Sequence, residues 1–211
     1  WEAELAEAID LAADHLSLYQ LTIEEGTRFH ALHAAGKLAM PSPDLAADLY
    51  EATQAVTAAH GLPAYEISNH AKPGAESRHN LVYWRYGEYV GAGPGAHGRF
   101  VDGNRRIVTF TEKMPETWAN LVEANGHGIV GGETLNKSEE ADEFLMMGLR
   151  LVEGIDLVRY EAMARRPLSP VRIAILQEEG LVEPVGNSRL RATATGMIVL
   201  DALVADLARE D

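Results

Sequence analysis

The chain has 211 residues, no cysteine, and 18 Lys plus Arg against 32 Asp plus Glu, a formal net charge of −14. With 46% hydrophobic and 24% charged residues it can bury one sizeable core, or one core and a small satellite domain, which excludes collagenous, low-complexity and disordered classes. The missing cysteines exclude disulfides, zinc fingers and cysteine-held iron–sulfur clusters built by this chain alone, and the lack of a dense basic run excludes nucleic acid as the expected partner.

Residues 1–13 form an amphipathic helix, with Leu5, Ile9 and Ala12 on one face and Glu2, Glu4, Glu7 and Asp10 outside. Trp1 stands where an initiator Met is usual, and no cap or turn precedes the helix, so the chain is expected to be a fragment that begins mid-domain. Residues 15–23 read as a buried strand through Leu16, Leu18, Leu21 and Ile23. Thr27 then caps a helix over 28–35 that Gly36 ends. Ser42 or Asp44 caps a long helix to His60, with Leu45, Leu49, Ala52, Val56 and Ala59 as its apolar stripe. A second strand is expected at 64–68, which gives the rhythm of parallel α/β units.

Residues 69–106 break that rhythm and gather glycines, aromatic residues and His70, His79 and His97, the content of a functional region. A strand at 88–92 runs into the glycine turn of residues 93–98, and a helix covers 111–126, with Pro115 in its first turn. Ser138 opens a capping-box helix, followed by helices over 156–165 and 169–179, a hairpin turning at Gly186–Asn187, and a last helix from Thr195 to Leu207. Two domains result, residues 1–135 and a winged-helix-like unit over residues 136–211. The first carries 9 basic and 18 acidic groups, the second 9 and 14, so neither has the charge of a DNA-binding module. No run approaches the ~18–20 apolar residues of a membrane helix, and the acidic start is not a secretory signal.

In HNLVYW, residues 79–84, the His79 imidazole offers a ligand to iron or a proton carrier, and Tyr83, Trp84 and Tyr86 offer flat faces to a planar ligand. The same residues also suit a buried core in which His79 merely bonds the backbone. GAGPGAHG, residues 91–98, lacks the Lys-Ser/Thr of a phosphate loop and the helix of a dinucleotide fingerprint. Its glycines suit either close backbone approach to a ligand or a tight turn. His30 and His33 read as a solvated helix face, and Arg165–Arg166 as a solvated helix end. No catalytic residue and no metal ligand is assigned.

The segments SLYQLTIEEGT (17–27), YEISNHA (65–71), SRHNLVYWRYGEYVGAGPGAHG (77–98) and LRLVEGID (149–156) together resemble the C-terminal portion of the HemW family. That family comprises radical S-adenosylmethionine (SAM) heme chaperones related to oxygen-independent coproporphyrinogen III oxidase, HemN. The resemblance spans essentially the whole chain, with His79, Asn80, Tyr83, Trp84 and the glycine turn in matching order; His70 departs from it, standing where Phe or Tyr is expected. It implies an α/β fold: the C-terminal strands and helices of a partial (β/α)6 radical SAM barrel plus a small α+β winged-helix-like domain. It also implies a [4Fe–4S] cluster and S-adenosyl-L-methionine in the full-length protein, with neither the cluster motif nor the methionine-binding motif in this stretch.

By the same resemblance Thr22 and His97 lie beside the adenosyl group, Gly93 and Gly95 shape the turn, and His79 is the candidate heme ligand. The implied role is a cytoplasmic protein that binds heme and delivers it to respiratory-chain acceptors, with this stretch by itself inactive. An oxygen-independent coproporphyrinogen III oxidase and a non-catalytic interaction module are the alternatives. Open strand edges are expected to make the isolated piece self-associate.

Overall fold

The computed structural model describes residues 1–209 and divides into two compact units, Trp1–Ser77 and the chain from Arg78 onward. The first holds α1 (Glu2–Leu11), β1 (His15–Ser17), α2 (Arg28–Ala34), α3 (Pro43–Ala59) and β2 (Asn69–Ala71). Its small core is Leu5, Ile9 and Leu62, with Leu16, Leu18 and Val56 packed against them. The caps fall where the side chains dictate: Thr27 Oγ1 accepts from His30 N at 3.2 Å, and Ser42 Oγ from Leu45 N at 3.2 Å.

The strands differ from expectation. β1 pairs antiparallel with β2, Leu16 opposite His70, rather than parallel with a strand at 64–68. The cause is local. Glu66 accepts hydrogen bonds from Ser68 N at 3.2 Å and from the Asn69 side chain, which folds YEIS into a turn, and Tyr65 N donates forward to Asn69 O at 3.1 Å. Extended backbone therefore begins only at Asn69. Beyond Ser17, Leu18 N donates to Ser68 O, and residues 19–22 are exposed and outside any strand.

The second unit begins with α4 (Arg78–Trp84), then β3 (His97–Asp102), β4 (Arg105–Thr111), α5 (Pro115–Asn125) and β5 (Ile129–Thr134). The three strands form an antiparallel sheet in chain order. The expected strand at 88–92 is a single bridge, Tyr89 to Arg99. The expected helix at 111–126 starts only at Pro115, because the hairpin turned by Gly103 at φ +62° carries β4 through Thr111.

The chain goes on through α6 (Lys137–Gly148), β6 (Ile155–Asp156), α7 (Leu157–Ala164), α8 (Pro170–Glu178), β7 (Val182–Val185), β8 (Arg189–Ala192), α9 (Ala194–Ile198) and α10 (Leu200–Ala208). Three helices and a hairpin that β6 extends to the order β6-β8-β7 make the winged-helix-like arrangement. Asn136, rather than Ser138, caps α6 in a capping box with Glu139. The last helix is split at Val199: Thr193 caps α9 through Gly196 N. Phe144, Leu145, Leu149, Tyr160, Leu190 and Leu207 anchor the core. Helices and strands thus mix as an α/β fold of small open sheets, with no closed barrel among the described residues.

A cavity of about 530 Å³ in the first unit is lined by Leu18, Leu21, Met40, Leu49, Tyr50 and His70. His70 is 1% exposed and neither ring nitrogen has a hydrogen-bond partner. Burial, then the nearby His15, lowers its pKa to about 4. The folded state therefore resists protonation that the unfolded chain accepts near pH 6.5, so this group destabilises the fold as pH falls from about 6.5 to about 4. His70→Phe, which removes an unpaired buried polar group, is expected to raise stability at pH 7 by about 1–2 kcal/mol. It should also flatten the pH dependence in that window, both read by chemical denaturation. Equal stability of the two proteins across the window would contradict this account.

Candidate functional site

The residues of HNLVYW lie on α4. His79 and Tyr83 are one turn apart and share a face. Tyr83 Oη and His79 Nε2 are hydrogen-bonded at 3.0 Å, and their rings meet edge to face with centroids 4.7 Å apart. The Tyr89 ring also meets Tyr83 edge to face, with centroids 4.3 Å apart. The result is a ladder of three rings whose outer rung, His79, is exposed while Tyr83 and Tyr89 are half-buried. Burial, opposed in part by Arg99, raises the pKa of Tyr89. Asn80 is half-buried beside them. Trp84 is not a rung: it borders a separate cleft of about 280 Å³ with Phe144, Leu151, Glu153 and Arg159, and the Arg150 guanidinium lies 5.9 Å from its ring centre.

Tyr86 is also no platform for a ligand. It is 4% exposed and takes the left-handed conformation, φ +53°, at the end of α4. There Tyr86 N donates to Tyr83 O at 2.9 Å and Gly87 N to Val82 O at 2.7 Å, the bonding of a Schellman cap with a tyrosine in glycine's place. That conformation costs an L-residue about 1–2 kcal/mol. What offsets it surrounds the side chain: Oη donates to Glu143 Oε2 at 2.8 Å, and the Arg106 guanidinium covers the ring at 3.9 Å. Arg106 and Arg159 both donate to the Tyr86 carbonyl, at 3.4 and 3.0 Å. Burial and then the bond to Glu143 push the Tyr86 pKa strongly upward, so the phenol stays protonated and remains a donor. Glu143 also takes two bonds from Arg99, at 3.1 and 3.3 Å. None of these four charged residues stood out from the sequence, because the partners of Glu143 are 44 and 57 residues away.

The glycine turn enters β3 of an antiparallel sheet and does not cap a parallel strand. Its glycines serve two purposes. A Cβ at Gly98 would lie 2.6 Å from Thr109 Oγ1 and 3.2 Å from Gly91 N, so close packing of the chain on itself excludes a side chain there. Gly93 and Gly95 have φ of +101° and +69°, and at Gly93 no atom stands within 4 Å of an added Cβ, which leaves that backbone open to a visitor. Thr111 clamps the turn: Oγ1 donates to Gly93 O at 2.6 Å and accepts from Ala96 N at 2.8 Å.

His97 is exposed at the start of β3, opposite Phe110 with ring centroids 6.2 Å apart. Thr22 lies in the first compact unit, exposed in the stretch after β1. His30 and His33 are exposed on α2, and the described residues contain no cluster of three or more His, Asp or Glu arranged for a metal ion.

Residues 135–199 match the family model described as the HemN C-terminal domain. The chain is 43% identical to mouse radical S-adenosyl methionine domain-containing protein 1, mitochondrial, over 98% of its own length and 49% of that protein. It is 35% identical to the heme chaperone HemW of Mycobacterium tuberculosis H37Rv over 95% of its length and 49% of that protein, and 34% identical to HemW of Bacillus subtilis over 86% and 48%. It thus spans about half the length of the curated relatives it matches. Among solved structures it resembles coproporphyrinogen III oxidase (HemN) from Escherichia coli, with a TM-score of 0.69 and 18% identity over 97% of this chain and 50% of that one; the likeness is one of fold.

The Thr111 clamp makes a direct prediction. Thr111→Val keeps the shape but strands the Gly93 carbonyl and the Ala96 amide, an expected loss of about 1–3 kcal/mol. The Ala96 amide should also exchange with solvent faster. An unchanged exchange rate there would show that the hydroxyl does not hold the turn.

Proposed function

The chain belongs to the family of the HemW heme chaperones and of mitochondrial radical S-adenosyl methionine domain-containing protein 1, and on that footing we propose that the protein binds heme through the ring ladder of α4. The observation that carries this reading is an exposed imidazole backed by two stacked tyrosines. An imidazole is a common axial ligand of heme iron, and aromatic rings offer apolar faces to a porphyrin. His79 is the ligand in this reading. Tyr83 orients its ring, Asn80 and Trp84 complete the motif on the same short helix, and Tyr89 backs the stack.

S-adenosylmethionine belongs to the same proposal. The open backbone at Gly93, the turn at Gly95 and the exposed His97, all of the second unit, are the positions offered to it. A cysteine-free chain supplies no thiolate to a [4Fe–4S] cluster, so in this reading the cluster and the radical chemistry it starts reside in the rest of the full-length protein. Residues 1–135 then contribute barrel elements, and residues 136–211 a companion domain. Heme passes on to respiratory-chain acceptors in the cytoplasm; no described helix is long and apolar enough to cross a membrane. Coproporphyrinogen oxidation has behind it the fold likeness to HemN and the match of residues 135–199 to the HemN C-terminal domain model, neither of which includes a catalytic residue of that reaction in this reading.

In the full-length protein, hemin is expected to give a shifted Soret band on titration, and His79→Ala to weaken binding at least tenfold. A titration curve unchanged by His79→Ala would remove His79 as the ligand. Vinyl product and CO2 from coproporphyrinogen supplied with S-adenosylmethionine, a one-electron reductant to start its cleavage and an electron acceptor would favour the oxidase instead.

A further inference from the structure

We infer that Glu143 of α6 is a positioning residue for the His79 imidazole, acting through Tyr86 and Arg99. The inference rests on the heme reading for its purpose but on geometry for its mechanism. A helix of seven residues is too short to hold its own shape, so the orientation of His79 has to be fixed from outside α4. Two of the outside supports converge on one carboxylate.

The first support ends the helix. Glu143 Oε2 accepts from Tyr86 Oη at 2.8 Å, and Tyr86 is the left-handed cap residue whose amide bonds to the Tyr83 carbonyl. The second backs the ring ladder. Glu143 takes two bonds from the Arg99 guanidinium, and Arg99 exchanges both backbone bonds with Tyr89, at 2.7 and 2.8 Å. Tyr89 in turn packs its ring on Tyr83, which bonds His79 Nε2. Tyr83 is therefore held at its backbone by one arm and at its ring by the other, and the imidazole follows Tyr83. A carboxylate suits the junction because it accepts on both oxygens at once, bidentate to Arg99 and single to Tyr86. Arg106 on the face of the Tyr86 ring and Arg159 on its carbonyl fix the phenol that Glu143 reads.

The alternative is that Glu143 is structural glue, no different from other half-buried ion pairs of the same unit, such as Arg172–Asp206 at 2.9 Å. Four proteins separate the two: full-length wild type, Glu143→Gln, Arg99→Lys and the control Asp206→Asn. Arg99→Lys keeps the charge and loses the paired geometry, so it stands in if Glu143→Gln folds poorly. The first readout needs no heme: the side-chain 15N and 13C resonances of His79 and its titration midpoint. The second is the hemin titration.

Glu143→Gln and Arg99→Lys are expected to move the His79 resonances and weaken hemin binding about five- to tenfold. Asp206→Asn should leave both as in wild type. Unmoved His79 resonances in both Glu143→Gln and Arg99→Lys, or equal movement in Asp206→Asn, overturn the inference. If hemin binds no form while the His79 resonances move only in the first two variants, positioning stands and the heme reading falls. If wild type and Glu143→Gln bind hemin equally with His79 unmoved, the heme reading stands and this one falls.

Discussion

The left-handed backbone of Tyr86 is the constraint around which the second unit is organised. A glycine would take that conformation at no steric cost. A tyrosine keeps it only while its ring, hydroxyl and carbonyl find partners that outweigh the strain, and the partners come from three directions: Arg106 on β4 at the ring, Glu143 on α6 at the hydroxyl, and Arg159 on α7 at the carbonyl. The residue that stops α4 is thus also the residue to which the strands and the helical domain are tied. Because Glu143 also binds Arg99 on β3, strain at one residue is relieved by a network that orders the sheet edge, the tyrosine stack and the exposed imidazole together. Charge is used sparingly here: three arginines meet one carboxylate, two aromatic faces and backbone carbonyls, and each has a defined acceptor or ring.

Local signals in the sequence made some elements legible and left others out of reach. Thr27, Ser42 and the Gly186 turn act within a few residues, and α2, α3 and the β7–β8 hairpin follow them closely. The stretch YEISN shows why apolar alternation fails where a polar side chain can bond its own backbone: Glu66 turns the chain before a strand forms. In the same way Asn136 captures the amides of Ser138 and Glu139 and starts α6 two residues earlier than the serine suggests. The hairpin at Gly103 carried an Asp-Gly turn signal beside an alternating strand, and β4 could have been read from it.

The candidate site divides along the same line. His79 and Tyr83 lie at helical spacing, and their pairing follows from it. Tyr89 as third rung, Trp84 in another cleft and Tyr86 in the core depend on contacts between distant segments, which no local pattern encodes. The glycine turn is dual in nature: a Cβ would meet the His97 backbone at Gly91 and the Thr109 hydroxyl at Gly98, whereas at Gly93 the backbone is open. His70 is the converse case, a buried imidazole held neutral and with neither ring nitrogen hydrogen-bonded.

Whether the α4 face is where a porphyrin lands is decided most directly by paramagnetic broadening. Substoichiometric hemin is added to the 15N-labelled full-length protein, with zinc protoporphyrin as the diamagnetic reference. Iron bound at the ladder predicts that amides of residues 79–83 and Tyr89 lose intensity first. Broadening centred on another part of the protein, with those amides untouched, would contradict it.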